Sequence, residues 1–228
     1  MKKLLFTLGL FCIAISAFSQ KDVTKFLGIP IDGTRAAMKQ KLIKKGFTPK
    51  IVGGNEILEG EFNGSNVHIY IVTNKDKVYR IMVTDPINRN EAEIKSRFNN
   101  LVRQFDNNKR YTSYIDYSIA DDVDISYEMA VNKKVFDAYF AQDFNYSQKD
   151  SATIISKSYE ILKTKYSEEY IESHKEDLKK EFINIGMELL FDLTYKKYVW
   201  FKIVERYGEY FINIYYDNKY NEPNGEDL

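Results

Sequence analysis

Along this chain the spacing of apolar residues switches between a helical and a strand period, and a capping or turn residue marks each switch. Phe26-Leu27-Gly28-Ile29-Pro30-Ile31-Asp32-Gly33-Thr34 forms a turn-rich opening in which Thr34 caps a helix. Ala37, Met38, Leu42 and Ile43 share the buried face of that helix, Gly46 supplies its left-handed stop, and Phe47 folds back. Gly53-Gly54 reads as a loop. Three short strands follow over 57–62, 66–73 and 78–85. Asn63-Gly64 is a two-residue hairpin turn, since both central residues of such a turn take positive φ, and Asn74-Lys75-Asp76-Lys77 closes the next one. After Pro86, Asn90 and Glu93 form a capping box, and Ile94, Phe98, Leu101, Val102 and Phe105 trace one apolar helix stripe.

The second half repeats these signals in another order. Residues 125–131 and 135–141 alternate as a hairpin around Asn132-Lys133, led by the acidic cluster Asp121, Asp122 and Asp124. Residues 150–193 are helical, with Ser173 and Glu176 as a capping box and Leu178, Phe182, Ile185 and Leu189 as one stripe. A last hairpin pairs 199–206 with 209–217 around Tyr207-Gly208, and the polar tail 218–228 frays. No Pro- or Ser-rich linker interrupts the chain, so residues 20–228 form one domain or two docked halves, 20–110 and 111–228. The expected class is α+β, with antiparallel sheet and helices packed on one face, in the order helix-βββ-helix then ββ-helix-ββ.

The first nineteen residues belong to a different pattern. Lys2 and Lys3 precede an apolar run over 4–18, and Ala17 and Ser19 place small residues at the third and first positions before Gln20. This is a signal peptide cut before Gln20, which puts the mature protein in the periplasm or outside the cell. The run falls short of the roughly 20 apolar residues that span a bilayer, so no stable membrane insertion follows cleavage. Cys12, the only cysteine, lies inside this segment behind Phe11, which does not suit a lipid-attachment site. The mature chain therefore has no disulfide and is held by burial, consistent with 44% hydrophobic and 15% aromatic residues. Loss of Lys2 and Lys3 from 33 basic residues, against 33 acidic ones, leaves a net charge of about minus two. That is no field for nucleic acid.

Candidate chemistry comes from hairpin register. A two-residue turn at Asn63-Gly64 sets Glu59 opposite His68 and Leu58 opposite Ile69, so Glu59 and Glu61 flank His68 on one face. Such a trio can serve as an acid/base pair or part of a metal site, because a neighbouring carboxylate raises imidazole proton affinity. It equally fits an exposed cross-strand pair worth roughly 0.2–1 kcal/mol. His174 sits among charged residues on a solvated helix start, and two histidines in all exclude a His-rich zinc centre. There is no Gly-x-Ser-x-Gly elbow and no phosphate loop, and the tail oxygens of Asp217, Asn218, Asn221, Asn224, Glu226 and Asp227 do not match a calcium loop. No catalytic residue, metal or cofactor is assigned. In the last hairpin, Val199, Phe201, Ile203, Ile212, Ile214 and Tyr216 take the core face, and Trp200, Lys202, Phe211, Asn213 and Tyr215 take the other. Rings beside amide and amine donors suit stacking on a sugar or anchoring a protein.

Phe26-Leu27-Gly28-Ile29-Pro30-Ile31-Asp32-Gly33-Thr34, Lys45-Gly46-Phe47, Val199-Trp200-Phe201, Tyr215-Tyr216-Asp217-Asn218 and the ending Asn224-Gly225-Glu226-Asp227-Leu228 together resemble a group of small secreted proteins of Gram-negative bacteria without an assigned activity. The resemblance implies export as a free-standing protein and transfers no site residue. The expected function is an exported, non-enzymatic protein that binds an unidentified protein, peptide or glycan through the Trp200 face. A carboxylate-dependent hydrolase using Glu59, Glu61 and His68, and a small inhibitor of an envelope enzyme, are the alternatives.

Overall fold

The structure, a computed structural model, describes residues 22–113, 115–143, 148–223 and 225. The leader and its cleavage point fall outside them, as do Asn224, Glu226 and Asp227 of the tail. One eight-stranded sheet runs through both halves of the chain in the order β3-β4-β5-β6-β10-β9-β8-β7. The strands are β3 Thr48–Val52, β4 Asn55–Phe62, β5 Ser65–Asn74, β6 Lys77–Thr84, β7 Tyr111–Thr112, β8 Asp137–Gln142, β9 Tyr198–Arg206 and β10 Glu209–Asp217. The halves join where β6 pairs with β10 antiparallel, Thr84 opposite Asn213 and Met82 opposite Tyr215. A small ribbon of β1 Lys25–Phe26 and β2 Ile29–Pro30 stands apart.

Tight turns set the register. Asn63 and Gly64 have φ of 51° and 72°, and Tyr207 and Gly208 have 57° and 79°, so each pair makes the two-residue turn that matches strand twist. Glu59 accordingly lies opposite His68, and Trp200 opposite Tyr215, as the turn residues predict. Gly53-Gly54 is not a free loop but another such turn, joining β4 to the unforeseen edge strand β3. β3 is exposed along nearly its whole length and contains Pro49, which lacks an N–H to donate, so no alternating pattern betrays it.

Helices α1 Arg35–Ile43 and α2 Glu91–Asp106 cover one face of the sheet. Thr34 caps α1 by accepting from the Ala37 N–H, and Asn90 and Glu93 complete the capping box of α2. Beneath α2, Phe201 is fully buried among Phe98, Phe105 and Phe140, with ring centroids 5.0, 5.6 and 5.9 Å away. Gly60 is required on this face because a Cβ there would lie 2.6 Å from the Phe47 ring. Where β6 gives way to α2, the buried Asp85 carboxylate accepts from Arg97 at 3.1 and 3.3 Å and from Arg89 at 2.7 Å. That triad pins the start of α2 to the sheet.

The expected hairpin over 125–131 and 135–141 is replaced by helix α3, Ile125–Ala130, followed by β8 alone. Asp124 caps α3 by accepting from the Tyr127 N–H at 2.7 Å, and Glu91 of α2 accepts from the Ile125 N–H at 2.7 Å and from the Ser126 hydroxyl. Local alternation favours a strand there, but two carboxylates hold the free N–H groups of a helix start, and only Ile125 is buried. The second half therefore reads β7-α3-β8-helices-β9-β10, within the α+β class that the pattern predicts.

Between β8 and β9 the chain makes an arm of α4 Gln148–Lys165, α5 Glu168–Ser173 and α6 Lys175–Thr194. Its own small core joins Leu162, Ile171, Leu178 and Ile185, with Phe182 and Leu189 packed alongside. Ser173 does not cap α6; its hydroxyl donates back to the Glu169 and Tyr170 carbonyls, closing α5 instead. Gly186 leaves α6 uninterrupted. The tail is tied down at its start rather than frayed: Asn218 is buried, donates to the Ile31 carbonyl, and takes the Tyr79 carbonyl with its backbone N–H, while Asn221 reaches Asp32 and the Val78 carbonyl.

Candidate functional site

Because strands alternate, the residues opposite the helical face are fixed once the register is known. Cross-strand pairing places Asp137, Lys202, Asn213, Thr84, His68 and Glu59 in one row that crosses β8, β9, β10, β6, β5 and β4. A second row beside it holds Tyr139, Trp200, Tyr215, Met82 and Tyr70. The two candidate regions read from separate hairpins thus belong to one surface. Apart from the buried Tyr215, these side chains are half-buried.

The rings of the second row stand side by side. Trp200 stacks between Tyr139, at 5.7 Å and 11°, and Tyr215, at 4.1 Å and 19°. The Arg80 guanidinium lies 4.9 Å from the Tyr215 centroid and 5.7 Å from that of Trp200. Asp217, almost fully buried, anchors the group: it accepts from Arg80 at 2.6 and 2.8 Å and from the Trp200 indole N–H at 2.9 Å. Burial pulls the Arg80 pKa down, and the bonded, charged Asp217 outweighs it, so the guanidinium ends above its ordinary value. Desolvation pushes the Tyr139 phenol up to about 12, with Asp137, which accepts its hydroxyl, adding to the effect. With its neighbours stacked against both faces, Trp200 offers a partner mainly its edge. That geometry suits packing against protein better than stacking on a sugar ring.

The polar row contains an anomaly. Thr84 Oγ1 and Asn213 Oδ1, on cross-strand neighbours, are buried and have no hydrogen-bond partner among the described residues. Buried polar atoms are satisfied in the great majority of cases, so two on adjacent strands set this row apart from the rest of the sheet.

No protein-family model, curated protein or solved structure matches this chain. The site is therefore read from its own geometry. Glu59 and His68 do face one another, but the Glu59 carboxylate is held by Lys50 at 2.6 Å. Expected acid/base enhancement of His68 is reversed: desolvation and then Lys50 lower its pKa, and Glu59 only partly opposes them. Stability linked to His68 is thus present above the unfolded value of 6.5 and lost as pH falls through 6.5 toward the folded value. An NMR titration of the His68 ring should give a midpoint below 6.5; one above it contradicts this electrostatic account. Glu61 is exposed opposite Asn66. His174 stacks on Tyr170 at 4.0 Å and shares its Nδ1 with Ser173 and the Tyr170 carbonyl. Among the described residues no group of three His, Cys, Asp or Glu side chains is placed to hold a metal ion. Nor is any helix among them long and apolar enough to cross a membrane. Phe211 lies outside the stack, with the Arg206 guanidinium 6.0 Å from its centroid.

Sequence reasoning missed Tyr139, Arg80, Met82 and Tyr70, which reach the Trp200 face only through pairings between distant strands. It also missed an exposed stripe on α6: Ile183, Met187 and Phe191, 52%, 43% and 49% exposed at helical spacing. Phe191 stacks on Tyr198 at 5.3 Å, and Tyr198 meets Tyr139 edge-on at 6.2 Å, so the stripe runs into the ring stack.

Proposed function

We propose that this is an exported binding protein that engages a polypeptide partner through the open face of its sheet. The supporting observation is the continuous run from Met187 and Phe191 of the arm through Tyr139, Trp200 and Tyr215 to Arg80 and Met82. Aromatic residues, Met and Arg are the types enriched in protein interfaces. Trp200, Lys202, Asn213 and Tyr215 are the proposed contacts, with Phe211 at the rim. The Glu59, Glu61 and His68 hydrolase is not favoured by this geometry, because the nearest carboxylate is already paired with a lysine.

Site-specific photo-cross-linking in the exporting cell tests the reading. A photoreactive residue at Lys202 should give a discrete protein adduct, and one at the exposed Lys45 on the helical side should not. Equal labelling at both positions, or none at Lys202, Tyr70 and Val204, rules out the sheet face as the contact. Amino-terminal sequencing of the same material should begin at Gln20; a start at Met1 removes export.

A further inference from the structure

A second site lies on the helical side, independent of the sheet face. The end of α2, the β1–β2 turn and the β4–β5 turn enclose a cleft of about 790 Å³, within the range of pockets that hold small organic ligands. Its floor is apolar and aromatic, built from Phe62, Phe105 and Tyr216, and its rim is formed by Asn63, Asn108 and Lys109 among others. No carboxylate among the described residues lines it. Arg110 also lines it but is clamped by Asp143 at 3.0 and 3.1 Å, whereas Lys109 has no ion-pair partner among the described residues.

The floor has a donor to spare. The Gln142 side chain is consumed: its amide oxygen accepts from the Lys25 N–H at 2.6 Å, and its two amide hydrogens go to the Lys25 carbonyl at 2.8 Å and the Tyr111 hydroxyl at 3.0 Å. The Tyr111 hydroxyl accepts there, and its own hydrogen has no acceptor among the described residues. Tyr111 lines the cleft beside the buried Tyr216. Leu27 at the lip adds a further sign. It holds φ at 50° and is 37% exposed, an arrangement that Asn tolerates and an apolar residue does not favour. Strain kept at an exposed apolar side chain beside a cavity points to a contact with something else.

We propose that this cleft binds a small amphipathic organic anion, its acyl or aryl body on Phe62, Phe105 and Leu27 and its carboxylate between Lys109 and the spare phenolic hydrogen. The shared chemistry is an apolar body with one carboxylate head. Calorimetric titration of the purified protein with decanoate, 2-naphthoate and the uncharged decan-1-ol tests it. At least one anion should bind with a stoichiometry of one; decanoate alone assigns acyl chains, 2-naphthoate alone assigns aryl acids, and mutual competition assigns both to one cleft. Lys109→Glu should weaken the anion by about tenfold, equivalent to about 1.4 kcal/mol, and leave decan-1-ol unchanged. Leu27→Asn should weaken binding while raising the thermal midpoint of unfolding, a combination that a purely structural role does not give. Absence of saturable heat with either acid, equal affinity for decanoate and decan-1-ol, or an unaltered Lys109→Glu variant overturns the proposal.

Discussion

Asp217→Ala is expected to lower the free energy of unfolding by about 3–5 kcal/mol, as removal of one member of a buried ion pair does. Asp217 is 1% exposed and is the acceptor for both Arg80 and the Trp200 indole. Without it, a largely buried guanidinium loses its countercharge and the indole N–H loses its partner, and neither can turn to water while stacked against Tyr215. Urea denaturation followed by far-UV circular dichroism measures the loss. Trp200 emission in the folded variant should shift to the red as the ring loosens. Asp217→Asn keeps an acceptor for one donor and should fall between the two. A loss below about 1 kcal/mol, the level of a surface pair, contradicts the anchoring role. The variant also bears on function, because a Trp200 freed from Asp217 no longer holds its edge in the ring stack, and cross-linking from Lys202 should drop.

Arg97→Ala should have an effect of similar size at the opposite side of the sheet. Its guanidinium is 9% exposed and makes two of the three contacts to the Asp85 carboxylate, leaving Arg89 as the remaining cation. Stripping Arg97 leaves a buried carboxylate half-compensated and removes the apolar stem that packs at the start of α2, a loss of about 3–5 kcal/mol. The double replacement Asp85→Leu with Arg97→Met separates charge from packing. Apolar residues of similar volume often equal a buried ion pair in stability, so the double variant should recover most of the loss. If it is as unstable as Arg97→Ala, the triad is needed for its geometry and not only for mutual neutralisation. Equilibrium unfolding of the single and double variants gives the comparison directly.

Legibility followed the range of the interactions involved. Asn63-Gly64 and Tyr207-Gly208 could be read because a two-residue turn with positive φ fixes the register of the strands beside it, and Glu59–His68 and Trp200–Tyr215 came with them. The stripe of α2 was equally plain, since one face of a helix buried on a sheet must repeat every three to four residues. The segment over 125–131 misled because its alternation is a local preference, overruled by Asp124 and by Glu91, which lies far away in sequence. Edge strand β3 gave no signal because an exposed edge has no buried face to record. Trp200, Lys202, Phe211, Asn213 and Tyr215 share a strand face that one hairpin's register places together, whereas Arg80, Met82, Tyr70 and Tyr139 join that face only in the sheet, as no periodicity links strands that are distant in sequence.

What the chain carried in its own order were the hairpins, the amphipathic helices and the face each side chain takes along its strand. These depend on neighbours a few residues apart and on steric limits of the backbone. What folding alone decided was that β6 lies beside β10. That pairing merges two half-sheets, sets Asn213 against Thr84 and Tyr215 against Met82, and brings Asp217 within reach of Arg80. The choice of which ribbon edges meet rests on the fit of the shared core under α2, a sum over many contacts between distant residues.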